Sequence, residues 1–102
     1  MKINEKVYSL CRKIPKGKIS TYKEMGIKLN TKAYRLIGQI LKHNKNPIKI
    51  PCFKIVKNNG DISGYNGSNI KNISKKIKLL RKEGIIVKNN KIFNFDKVLH
   101  KF

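Results

Sequence analysis

The sequence predicts an α+β domain, mostly helical, with a helix-turn-helix in its first half and a short hairpin near its C-terminal end. Three observations predict it. Apolar residues recur at helical spacing in several separate stretches, clusters of Gly, Asn and Pro break the chain between them, and one Asn-Asn pair separates two short β-type apolar runs. A length of 102 residues fits one domain, 1–102, with a single modest core.

Asn4 is placed to cap a first helix, with Glu5 in its first turn and Val7, Leu10, Cys11 and Ile14 on one apolar face. Cys11 therefore reads as a core residue. Pro15 and Gly17 break that helix, and Thr21-Tyr22-Lys23-Glu24 has the form of a capping box, which starts a short helix with Met25 and Leu29 facing inward. Asn30 suits a left-handed turn and Thr31 a second cap. The next helix then carries an apolar stripe of Ala33, Leu36, Ile37, Ile40 and Leu41 and an outer stripe of Lys32, Arg35, Gln39 and Lys42. Two short helices joined this closely, the second with a cationic and amide face, fit a helix-turn-helix that meets DNA.

Asn44 to Pro47 ends that helix, Ile48 to Ile50 reads as extended, and Asn58-Asn59-Gly60-Asp61 reads as a turn after Ile55-Val56. Ser63 to Asn69 reads as a loop. Ile70, Ile73, Ile77 and Leu80 space a last helix that stops at Gly84, with Lys75, Lys76, Lys78, Arg81 and Lys82 at solvated positions. Ile85-Ile86-Val87 and Ile92-Phe93-Asn94-Phe95, flanking Asn89-Asn90, then suggest the hairpin.

Twenty-five Lys and Arg against five Asp and Glu give a formal charge of +20, which favours a polyanionic partner. Part of that excess has a compositional source. Lysine outnumbers arginine 22 to 3 while Ile and Asn reach 16 and 12, the pattern an AT-rich genome produces. The remainder is still basic. No stretch approaches the roughly 20 apolar residues of a membrane span and the first residues lack a signal peptide's apolar run, so an intracellular, cytoplasmic protein without a membrane partner is expected. In that compartment Cys11 and Cys52 are expected as free thiols. With the distant His43 and His100 they make no metal-site spacing, and no metal is expected.

Residues 47 to 56, Pro-Ile-Lys-Ile-Pro-Cys-Phe-Lys-Ile-Val, seat Cys52 behind a rigid proline between two apolar runs, a placement that makes it a candidate nucleophile. The segment and the ordered series around it resemble the C-terminal domain of the O6-alkylguanine-DNA alkyltransferases, whose signature is Pro-Cys-His-Arg-Val. The series runs from Val7-Tyr8 through Ile14-Pro15-Lys16-Gly17-Lys18-Ile19-Ser20-Thr21-Tyr22 and the Gly64-Tyr65-Asn66-Gly67 loop to Glu83-Gly84. Phe53 stands where that signature has histidine and Lys54 where it has arginine.

The resemblance implies a DNA repair protein that flips O6-alkylguanine out of double-stranded DNA and moves the alkyl group irreversibly to its own cysteine, once per molecule and without a cofactor. It implies that Cys52 accepts the alkyl group, Tyr22 donates to the leaving base, Asn44 braces the active-site turn, and Glu83 faces the residue after the cysteine. Thr21, Tyr22, Lys32, Arg35 and Gln39 are the expected DNA contacts, with Arg35 filling the space the base vacates. Pro47, Phe53, Val56, Tyr65, Asn66 and Gly67 are the expected pocket. Phe53 has no titratable nitrogen, so the family's histidine relay between glutamate and thiol is expected to be missing. A monomer is expected. The chain's length also resembles the alkyltransferase-like proteins, in which another residue replaces the cysteine; the alternative is therefore a non-enzymatic sensor that binds alkylated DNA and recruits other repair proteins.

Overall fold

Three helices form the first half of the chain. The computed structural model describes residues 2–44, 49–62 and 70–102, apart from the side chains of residues 70–72. Helix α1, Ile3–Lys13, buries Val7, Leu10 and Cys11, and Ile14 just beyond it is buried as well. Its expected cap is displaced. The Lys6 amide already donates to the Lys2 carbonyl at 3.1 Å, so the helix starts from Lys2 without a side-chain cap and Asn4 lies inside the first turn.

Strand β1, Ser20–Thr21, runs directly into α2, Tyr22–Leu29. The Thr21 hydroxyl accepts the Glu24 amide at 3.1 Å, as the capping box predicts. Asn30 closes α2 in the left-handed region at φ 55°. Thr31 does not cap the next helix. Its hydroxyl accepts the Ala33 amide at 3.1 Å in a turn of its own, which delays α3 to Tyr34–Lys42. A Cβ on Gly26 would lie 2.6 Å from both the Thr31 carbonyl and the Tyr34 ring, so glycine lets α2 close on the entrance to α3.

The buried edge of α3 is narrower than the pattern suggested. Ile37, Gly38 and Leu41 are buried, Ile40 is half-buried, Ala33 is exposed and Leu36 is 42% exposed. That edge, with Tyr34 beside it, meets α1 and α2, and the Tyr8 hydroxyl fastens α1 to it by donating to the Ile40 carbonyl at 2.8 Å. The outer residues Lys32, Arg35, Gln39 and Lys42 are all exposed, as expected.

Lys49 and Ile50 form a turn and a bend where an extended run was expected, because the Cys52 amide folds back to the Ile50 carbonyl at 2.7 Å; Ile48 lies outside the described residues. A 3-10 turn, Cys52–Lys54, leads into β2, Ile55–Val56, which pairs in parallel with β1 in the register Ser20 to Ile55 and Thr21 to Val56. The pairing brings the start of α2 beside the cysteine turn. Gly60 completes the expected turn, its amide donating to the Lys57 carbonyl at 2.8 Å. The expected Ser63 to Asn69 loop lies outside the described residues.

Helix α4, Ile70–Lys82, ends as predicted at Gly84, φ 84°. The hairpin follows as β3, Val87–Lys88, and β4, Lys91–Ile92, with Asn89 and Asn90 at φ 52° and 60°, the left-handed pair that a two-residue turn demands. The second strand is shorter than the apolar run 92–95. Asn94 turns left-handed at φ 54° and diverts the chain into a short helix, α5, Phe95–Val98, which the sequence pattern did not reveal. The C-terminal segment then lies along β1: the Ile19 amide donates to the Val98 carbonyl at 2.9 Å and the Ser20 hydroxyl to the His100 carbonyl at 2.8 Å.

The apolar residues gather in two clusters. One joins α1, α2 and α3 around Val7, Cys11, Tyr22, Met25 and Ile37, and the other joins Ile19, Val56, Ile62 and Leu80 to the hairpin. Cys52 packs on the first and its neighbour Phe53 on the second. The cysteine turn therefore straddles the seam between them.

Candidate nucleic-acid interface and reactive cysteine

The cysteine turn is held from several sides. Pro51 fixes the backbone ahead of Cys52 at φ −76°, and Asn44, beyond the end of α3, donates its side-chain amide to the Ile50 carbonyl at 2.7 Å. Asn44 thus reaches the segment it was expected to brace. Cys52 is a half-buried free thiol, whereas Cys11 is fully buried and free, and burial pushes its thiol up to about 12. Only Cys52 combines partial exposure with a place on a sharp turn. Tyr22, first residue of α2, is buried in the cluster against which Cys52 packs.

Glu83 has a partner that the sequence reading did not foresee. Lys54, 5% exposed at its side chain, extends its ammonium to Oε1 of Glu83 at 2.8 Å and also donates to the carbonyls of Ile14, at 3.3 Å, and Pro15, at 3.2 Å. The same carboxylate oxygen accepts the Gly17 amide at 3.2 Å. Glu83 is therefore occupied from the lysine side, and the residue after the cysteine takes no part in this network. Phe53 lines a cavity of about 580 Å³ together with Ile14, Pro51, Leu79, Lys54 and Glu83, and Cys52 does not line it. Consecutive residues thus face different surroundings.

Two expected positions need correction. Val56, taken as a pocket residue, is fully buried in the second cluster, because its place in β2 turns it into the core between β1 and α4. Thr21, taken as a DNA contact, is buried with its hydroxyl capping α2, so it positions Tyr22 and offers no surface to a ligand. Lys32, Arg35 and Gln39 stand exposed together at the entrance and along the outer face of α3. Pro47, Tyr65, Asn66 and Gly67 lie outside the described residues.

Lys76 is the residue that the sequence reading missed. Counted among the solvated lysines of α4, it is instead half-buried, with its ammonium on the Ile55 carbonyl at 2.7 Å. Burial brings it down to about 8, against the opposing pull of Cys52 and Asp61. Position on the helix was the available signal: Lys76 follows Ile73 by three residues and adjoins Ile77, so it borders the apolar face.

Residues 2–85 match the family model described as 6-O-methylguanine DNA methyltransferase, DNA binding domain. The chain is 36% identical over 87 residues to a bifunctional methyltransferase/endonuclease of Picrophilus torridus, covering 84% of this chain and 28% of that protein. It is 39% identical over 90 residues to the methylated-DNA–protein-cysteine methyltransferase of Candida glabrata, covering 87% and 42% respectively. The chain thus spans less than half the length of either relative. Among solved structures, S. pombe Atl1 in complex with damaged DNA containing O6-carboxymethylguanine shares the fold over 100% of both chains, with a TM-score of 0.80 and 24% identity. The O6-methylguanine methyltransferase of Mycobacterium tuberculosis matches 81% of this chain and 48% of its own, with a TM-score of 0.66 and 27% identity. With its family-model match running from the start of α1 through the end of α4, this chain belongs to the 6-O-methylguanine DNA methyltransferase family, as a DNA-binding domain of that family.

Proposed function

We propose that the chain turns an O6-alkylated guanine out of double-stranded DNA and takes the alkyl group on Cys52. The observation that carries this reading is the half-buried thiol on a turn braced by Asn44 and Pro51, next to a helix pair whose outer face is cationic. Lys32, Arg35 and Gln39 lie along the duplex, and Arg35 enters the stack as the base leaves. Flipping costs a few kcal/mol, so a side chain that fills the gap holds the extruded state. The thiolate attacks the alkyl carbon, the carbon–oxygen bond breaks, and Tyr22 donates toward the guanine as negative charge develops on it. Pro47, Tyr65, Asn66 and Gly67 wall the pocket in this reading.

A second reading has support of its own. The chain shares the fold of Atl1, described in complex with damaged DNA, over 100% of both chains, and in this reading it binds the lesion and recruits other repair proteins. The cysteine separates the two. Incubation with O6-methylguanine DNA is expected to raise the intact protein mass by one methyl group, mapped to Cys52, and Cys52→Ala is expected to hold the lesion without repairing it. Tight lesion binding with protein and DNA masses both unchanged assigns the sensor role instead.

A further inference from the structure

We propose that the cavity lined by Phe53 docks an acidic segment of a partner protein, which inserts one aromatic or aliphatic side chain. Docking there does not depend on whether Cys52 accepts an alkyl group. The interior is apolar: Ile14, Pro51, Phe53 and Leu79 line a space of about 580 Å³, within the roughly 300 to 1,000 Å³ of ordinary binding pockets. The rim is cationic. Arg12 and Lys82 are exposed there and form no ion pair among the described residues, and Lys49, also exposed, lines the cavity with them. The one carboxylate in the lining, Glu83, is neutralised by Lys54 at 2.8 Å.

An apolar interior within a positive rim is complementary to an apolar side chain flanked by carboxylates, the arrangement of anchor and polar rim that protein interfaces use. Other occupants fit less well. A second copy of this chain brings a net charge of +20, with only five acidic residues, to the same cations. Duplex DNA offers phosphates to the rim but keeps its bases stacked, so it leaves the interior unfilled. An unpaired base brings a hydrogen-bonding edge, yet Lys54 already commits its three N–H donors to Glu83 and the carbonyls of Ile14 and Pro15. Pro51, Phe53 and Lys54 line the cavity and Cys52 does not, so a segment seated there touches the residues on either side of the thiol and not the thiol. The cysteine turn is thereby open to a lesion and a partner at once.

The probe is a short fluorescein-labelled peptide of glutamates and aspartates around a single phenylalanine, titrated with the protein at about 150 mM salt without DNA. A net charge of +20 attracts any polyanion, so two comparisons isolate the cavity. Changing the peptide's phenylalanine to alanine is expected to weaken binding about tenfold. Arg12→Ala with Lys82→Ala is expected to weaken it about fivefold or more, against less than about twofold for Lys6→Ala with Lys28→Ala, which removes the same charge from exposed positions outside the cavity. The NMR signals of Ile14, Phe53 and Leu79 are expected to shift as the peptide binds. Equal losses in the two double variants, or no dependence on the phenylalanine, overturn the proposal, because net charge alone then holds the peptide. An oligothymidylate that shifts the same signals and displaces the peptide assigns the cavity to single-stranded nucleic acid and overturns it too. Docking without methyl transfer overturns the transferase reading alone, and methyl transfer without docking overturns this proposal alone.

Discussion

At the scale of single residues, two lysines that composition alone assigns to the surface are both turned inward, with different consequences. Lys54 replaces an arginine of the family signature, yet it is the hub at which the end of α1, the Pro15 to Gly17 turn, the cysteine turn and the end of α4 meet. Its removal leaves a largely buried carboxylate with, among the described residues, the Gly17 amide as its remaining partner. Breaking one side of such a pair costs about 3 kcal/mol. Lys54→Met is therefore expected to lower the urea midpoint by that equivalent, and Lys54→Met with Glu83→Gln to recover part of the loss, since no charge is then left unpaired. A loss in Lys54→Met below about 1 kcal/mol, the value of an exposed pair, would mean that solvent reaches the pair. The sequence carried no signal for Lys54 and, for Lys76, only a position bordering the apolar face of α4. A lysine bordering an apolar stripe snorkels to water by default, and only the carbonyls of Ile14, Pro15 and Ile55, brought there from distant parts of the chain, hold these two inside.

At the scale of elements, legibility follows the range of the interaction that makes each one. Helices α1, α2 and α4 and the Asn89-Asn90 hairpin were readable because periodicity, the Thr21 cap and paired left-handed asparagines act over a few residues. The pairing of β1 with β2 was not, because two-residue strands carry no pattern and their partners come from different parts of the chain. The start of α3 was misplaced by a hydroxyl that chose a nearer amide. That later start leaves Arg35 as the second residue of the helix, exposed, where a side chain at a helix N-terminus can reach base edges. If it fills the vacated stack, Arg35→Ala is expected to weaken binding to O6-methylguanine DNA by tenfold or more, on the order of 1–2 kcal/mol out of the few that flipping costs, while affinity for undamaged duplex falls by about twofold. Equal losses on both DNAs in a fluorescence anisotropy titration would reduce Arg35 to one phosphate contact among many.

At the scale of the whole molecule, the cysteine turn lies on the seam between two small apolar clusters, and the charge lies almost everywhere else. That arrangement separates two kinds of affinity. In the proposed function, contacts at the seam and along α3 discriminate a damaged base, whereas a net charge of +20 over 102 residues favours any duplex by displacing condensed counterions. The second kind is generic and salt-sensitive, and each phosphate neutralised adds about 0.9 to the slope of log affinity against log salt. Raising monovalent salt from 50 to 200 mM is therefore expected to weaken undamaged binding by about a hundredfold or more, which corresponds to roughly four phosphate contacts on that slope. Lesion binding should fall in parallel on the logarithmic scale, because the damaged base adds stacking and hydrogen bonds without adding phosphates. The preference for damaged over undamaged DNA is then nearly constant across the salt range. A preference that collapses as salt rises would mean that recognition of the lesion is itself electrostatic, carried by the lysine-rich surface and not by the turn that holds Cys52.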